Sequence, residues 1–173
     1  IRVAPKQKNI ENPRSLTIPI IEYEYAPNNN DVAICKTAEY ESPIIFDLEK
    51  TNVDVWQDVA TMGYPITYVH EREGEFRFQQ RFQKGYIQRL IPHGRHQSMS
   101  DKPDLFEINF PITRGMSGAP LFIHAKEKEK LIGVCIGTSQ SEIVDYDHTE
   151  VIDGEERYSE KRVRITEYGI VND

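Results

Sequence analysis

The sequence predicts an all-β fold, a barrel or a sandwich, and three observations carry that expectation. Short β-branched and aromatic runs recur along the chain with turn residues between them. Apolar and polar residues alternate clearly where Phe76, Phe78 and Phe82 lead on to Tyr86, Ile87, Leu90 and Ile91. No stretch carries the apolar spacing of an ordinary amphipathic helix.

The elements follow in order. Residues 1–15 are polar and irregular, with Pro5 and Pro13. Residues 17–25 are β-branched and aromatic and read as a strand, which Pro19 places at an edge or bulge. Pro27-Asn28-Asn29-Asn30 is a turn signal, and residues 31–36 form a short strand opened by Asp31. Residues 38–53 connect. Residues 54–60 alternate loosely, offer Val55, Trp56 and Val59 to a core, and lead to the turn Met62-Gly63-Tyr64-Pro65. Residues 75–91 read as two strands with a bend at Lys84-Gly85, and residues 92–103 as a polar loop. Residues 105–110, 119–123 and 131–138 are further strands, the last two joined by a charged tip at 126–130. Residues 139–161 are polar and acidic, a long loop or partly formed hairpin; periodicity leaves 162–171 open between strand and short helix.

At 173 residues the chain can build one good core or two small ones sharing an interface. A net charge of -7 without a dense Lys/Arg cluster argues against nucleic acid or an anionic membrane as partner. No apolar run approaches the roughly 20 residues that span a bilayer. The start, Ile1-Arg2-Val3, shows neither an initiator Met nor a signal peptide, so the chain is expected to be part of something longer. Cys35 and Cys135 each sit in an apolar strand-like run and are expected to be buried unpaired thiols. That favours a reducing, cytoplasmic-type compartment.

The chemistry-bearing stretch is Gly115-Met116-Ser117-Gly118-Ala119-Pro120. Glycines on either side of a serine permit a sharp bend that presents the hydroxyl outward and gathers backbone N–H groups beside it. A nucleophile next to paired N–H donors is what acyl transfer requires. The plain alternative is a tight turn in which Ser117 serves only turn geometry.

The order of features resembles trypsin-like serine peptidases, the bacterial Do-like branch in particular. Asp31-Val32-Ala33-Ile34 resembles the segment with the catalytic aspartate, and Met62-Gly63-Tyr64-Pro65 the Gly-x-Pro turn after it. Lys84-Gly85-Tyr86-Ile87 is similar to the strand opening the second barrel. Gly115-Met116-Ser117-Gly118-Ala119-Pro120-Leu121 resembles the nucleophile motif, and Leu131-Ile132-Gly133-Val134 the strand after it. The matches run in order over about residues 17–138.

The resemblance implies two antiparallel β-barrels of the chymotrypsin type, the first incomplete in this chain. Residues 1–50 would be the end of the first barrel, 51–74 the connection and start of the second, and 75–173 the second barrel with a C-terminal segment. It implies hydrolysis of a polypeptide substrate through an acyl-enzyme on Ser117, with Asp31 orienting a histidine. Gly115, Met116 and Ser117 would form the oxyanion hole, with the N–H groups of Gly115 and Ser117 as donors. Pro111 would lie at the base of the specificity pocket, disfavouring Lys or Arg there; Ile136, Gly137 and Thr138 would pair with substrate backbone as an added strand. No cofactor and no metal is implied.

Three departures stand out. Met116 replaces an acidic or amide residue, which removes the trypsin-type activation switch, and Ala119 replaces a second glycine. No histidine precedes Asp31; His70, His93, His96, His124 and His148 all follow it. His93 and His96 have a metal-like spacing, but no third ligand accompanies them and a solvated loop is the favoured reading. The expectation is therefore that the histidine lies upstream of Ile1, in the same polypeptide or a cleaved partner chain. The alternatives are an inactive peptidase-like module that binds extended peptides or a partner protein, and an unrelated β-barrel or sandwich.

Overall fold

The structure is a computed structural model that describes residues 2–3, 16–27, 32–38, 45–66, 69–72, 75–96, 104–125, 128–152 and 155–173. It is all-β, with no α-helix among the described residues and so no helix long and apolar enough to cross a membrane. Thirteen strands appear among the described residues. The first four are β1 (Arg2–Val3), β2 (Leu16–Thr17), β3 (Ile20–Tyr25) and β4 (Ala33–Thr37). Next come β5 (Phe46–Asp47), β6 (Asp58–Gly63), β7 (Val69–Arg72), β8 (Glu75–Phe78) and β9 (Arg81–Ile91). The last four are β10 (Leu105–Ile108), β11 (Pro120–Ile123), β12 (Glu129–Ile152) and β13 (Glu155–Asn172).

Six strands close on themselves. Antiparallel ladders run β6–β9, β9–β10, β10–β13, β13–β12, β12–β11 and β11–β6, which returns to the start. Closure leaves the ring itself no open edge. β5 is appended, parallel to the start of β12. The inward residues fill the ring: Val59, Ile87, Phe106, Ile108, Leu121, Ile132, Cys135 and Val171 form one buried cluster with Phe110, Ile112, Met116 and Ala119. A smaller cluster of Ile91, Leu105 and Ile170, with Ile136 against it, uses the opposite side of these strands. Among the described residues of 1–50, β1–β2 and β3–β4 are separate two-stranded ladders and β5 alone joins the larger sheet; β7–β8 forms a third separate ladder outside the ring.

Several expectations change. The break in residues 75–91 lies at Gln79 and Gln80, and Gly85 sits inside β9. A β-carbon at Gly85 would collide with the Asn109 carboxamide and the Phe110 ring, so the glycine marks a close approach. Met62 and Gly63 end β6, so the turn begins at Tyr64. Trp56, expected to be available for burial, stands 74 % exposed and stacks on Tyr86 with ring centroids 4.9 Å apart. Residues 162–171 are strand, and most of 139–161 is too. β12 and β13 run out together beyond the ring as a ladder paired from Val134↔Asn172 to Ile152↔Glu155. Both cysteines are free; Cys135 is buried as expected, but Cys35 is only half-buried.

Candidate functional site

The serine motif occupies the crossing from β10 to β11, where the chain leaves one wall of the ring and re-enters another. Two glycines take left-handed angles there, φ +95° at Gly115 and +85° at Gly118. Between them Met116 N–H donates to the Thr113 carbonyl (3.0 Å), and Ala119 N–H donates to the Met116 carbonyl (3.0 Å). Two tight turns back to back therefore place Ser117 at the apex, exposed.

Three anchors hold the loop. The Met116 side chain is fully buried in the main cluster, close against Gly63. Where an acidic residue would have needed a charged partner, an apolar plug fixes the loop by burial. Gly118 N–H donates to the Cys135 carbonyl (2.8 Å), and Cys135 N–H donates to the Ala119 carbonyl (2.9 Å), which docks the loop's exit on β12. Ile66 N–H donates to the Arg114 carbonyl (2.9 Å), which docks its entrance on the turn after β6. That turn lies so close that a β-carbon on Gly115 would stand 2.6 Å from the Ile66 nitrogen and 2.8 Å from the Tyr64 oxygen.

The amides sort themselves accordingly. Met116 N–H is committed to Thr113, so of the three residues expected at an oxyanion hole it is the one without a free donor. The N–H groups of Gly115 and Ser117 meet no acceptor among the described residues. Ser117 Oγ donates to the Ile136 carbonyl at 3.4 Å, a long contact. Ile136 is the extra residue of a β-bulge, since Cys135 faces Val171 and Gly137 faces Ile170. A bulge re-aims the backbone around it. Here the bulged residue's carbonyl meets the serine.

The segment leading into the loop is tied to the same strand. Thr138 Oγ1 accepts from Ile112 N–H (3.0 Å) and donates to the Ile112 carbonyl (2.8 Å). Pro111, the residue before Ile112, is half-buried. Nothing in the sequence signalled this double bond, because a threonine in a strand gives no hint of which backbone its hydroxyl will meet. Cys135, beneath the loop, contacts the Thr61 hydroxyl at 3.6 Å, and burial pushes its thiol up to about 11. It is a core group, too poorly ionised to act as a nucleophile near neutral pH.

Of the expected site residues, the structure joins Ser117 to Ile136, and it ties Thr138 to Ile112, the neighbour of Pro111 in the chain. Asp31 lies outside the described residues. Among the described residues the Ser117 hydroxyl is bonded to Ile136 and to no histidine; His124 pairs with Glu129 (2.8 Å) and His148 stacks on Tyr146. No group of three metal-ligating side chains occurs among the described residues. Comparison with protein-family models, with curated proteins and with solved structures gives no match to this chain.

Proposed function

We propose that this chain carries the nucleophile-bearing barrel of a serine endopeptidase. The observation that supports it best is the exposed Ser117 at the apex of two glycine turns, flanked by the amides of Gly115 and Ser117, which meet no acceptor among the described residues. A six-stranded antiparallel ring around that loop agrees with what the resemblance implies for a second barrel. In the proposed reaction Ser117 Oγ attacks the scissile carbonyl carbon and its proton passes to a histidine, expected upstream of Ile1 and oriented by Asp31. The oxyanion accepts from Gly115 and Ser117 N–H. The C–N bond then breaks, the histidine protonates the leaving amine, and water hydrolyses the acyl-enzyme through the same base. A fluorophosphonate probe should label Ser117 in protein that includes its upstream residues, and Ser117→Ala should remove the label.

One observation favours a second reading, a peptide-binding module without catalysis. The Ser117 hydroxyl donates to the Ile136 carbonyl, and among the described residues no histidine is bonded to it. A residue other than histidine at the upstream triad position, together with absent labelling, would select this reading.

A further inference from the structure

We infer that the edge of β12 beyond residue 136 is a long docking edge for one kind of guest, an extended polypeptide rich in Lys and Arg on the amino side of its cleavage point. This rests on the reading of residues 136–138 as a substrate-pairing segment given above.

The argument starts from which side of β12 is free. β13 lines one side from Val134 to Ile152. On the other side β11 stops at Val134, and the serine loop takes up the backbone of Cys135 and the carbonyl of Ile136. From Gly137 onward that side has no strand partner among the described residues. The free side is therefore the same edge that presents residues 136–138 beside Ser117. An unpaired row of N–H and C=O groups is a template for another strand.

Geometry sets the reach. The next bulge in β12 falls at Asp145, where Val144 faces Val163 and Tyr146 faces Arg162. Residues 137–144 thus form an uninterrupted edge of eight residues, about 26 Å at the usual strand rise. The ring's ladders are antiparallel. A guest that continues the pattern runs away from Ser117 towards its own amino end.

Charge sets the guest. Between Ser139 and Ile152 the strand has four carboxylates, Glu142, Asp145, Asp147 and Glu150, and no Lys or Arg. All four residues are exposed; Glu142 lies on the uninterrupted edge and the other three follow beyond its far end, so they act on a guest's amino end through the field and not by pairing. Asp145 is paired to Arg164 at 3.1 Å, while no ion pair engages Glu142, Asp147 or Glu150 among the described residues. Lys161, Arg162 and Arg164 stand across the ladder on β13, one strand further from a guest, so the strand the guest would join is the acidic one and favours basic side chains over acidic ones.

The test is fluorescence anisotropy with the full-length Ser117→Ala protein and fluorescein-labelled synthetic peptides. One series lengthens the amino side of a fixed cleavage sequence from two to twelve residues with alternating Lys and Thr. A second substitutes Glu for Lys, and a third carries N-methyl groups on alternate amides. The expected result is an affinity gain of at least about tenfold that levels off near eight residues, from added backbone bonds. N-methylation should remove it. The Lys series should bind about fivefold or more tighter than the Glu series at low salt, and Glu142→Lys with Asp147→Lys and Glu150→Lys should reverse that preference. Affinity flat beyond three residues overturns the docking edge. A length gain without charge preference overturns the basic guest. Probe labelling of wild-type Ser117 with a flat length series would sink this inference alone; absent labelling with a length gain would sink the peptidase reading and leave the edge standing.

Discussion

Replacing Gly115 and Gly118 by alanine, one at a time, separates the two reasons the serine loop needs glycine. Both residues sit at left-handed angles, +95° and +85°, so each alanine pays the strain of an L side chain there, about 1–2 kcal/mol. At Gly118 nothing lies within 4 Å of the added β-carbon, so that strain is the whole cost. At Gly115 the added carbon meets the Ile66 nitrogen at 2.6 Å and the Tyr64 oxygen at 2.8 Å. Both are backbone atoms and cannot swing aside. The turn after β6 must retreat, and the bond from Ile66 N–H to the Arg114 carbonyl must stretch with it. Overpacking of this kind adds about 1–3 kcal/mol. At roughly 2–4 °C of melting temperature per kcal/mol for a chain of this size, Gly118→Ala should lower the midpoint by about 2–8 °C. Gly115→Ala should lower it by about 4–20 °C on the same conversion. Differential scanning calorimetry on the two variants reads the difference directly. Equal losses, or a Gly115→Ala midpoint within a degree of the parent, would refute the account of the loop as backbone packed on backbone.

Further expectations follow from the same site. Met116→Ala should cost about 2–5 kcal/mol by denaturant titration, whereas Met116→Leu keeps the plug and should cost under about 1.5 kcal/mol. Thr138→Val leaves the amide and carbonyl of Ile112 without partners and should cost about 1–3 kcal/mol, with Thr138→Ser close to the parent. Cys135 supplies a pH dependence: its folded thiol is raised from 9.0 to about 11, so the unfolded chain releases this proton first. The stabilisation is fully present below pH 9 and is lost as pH rises through about 11, on the order of 2–3 kcal/mol. Urea titrations between pH 8 and 11 should show that extra decline in the parent and not in Cys135→Ala. A thiol reagent at neutral pH should modify Cys35 in the folded protein and leave Cys135 untouched.

The ring was legible wherever a strand has one wet face and one dry face. β9 comes nearest to that, burying Ile87 and Ile91 between exposed residues although Phe82 stands exposed, while β11 announced itself as a continuous apolar run with Leu121 and Phe122 both buried. β12 and β13 beyond the ring were not legible, because residues 141–151 are exposed on both faces of the ladder. With no buried face, nothing imposes a period of two, and only β-branched residues such as Ile143, Val144 and Val151 hinted at a strand. The serine loop was legible from its two glycines, whose need is local. The anchors were not. That Met116 enters the core and that Thr138 clasps Ile112 depend on which strands become neighbours across the ring, a long-range fact. Gly85 misled for the same reason: it yields to the Asn109 side chain from the bend after β10, whereas its surroundings in sequence suggested a bend of its own.

Mass-spectrometric mapping of a fluorophosphonate adduct, on protein expressed with the residues that precede Ile1, goes to the heart of the proposal. The expected result is a single adduct on Ser117, absent after Ser117→Ala and after mutation of an upstream histidine. An unmodified Ser117 in correctly folded protein, at probe concentrations that saturate a known serine hydrolase, would contradict it.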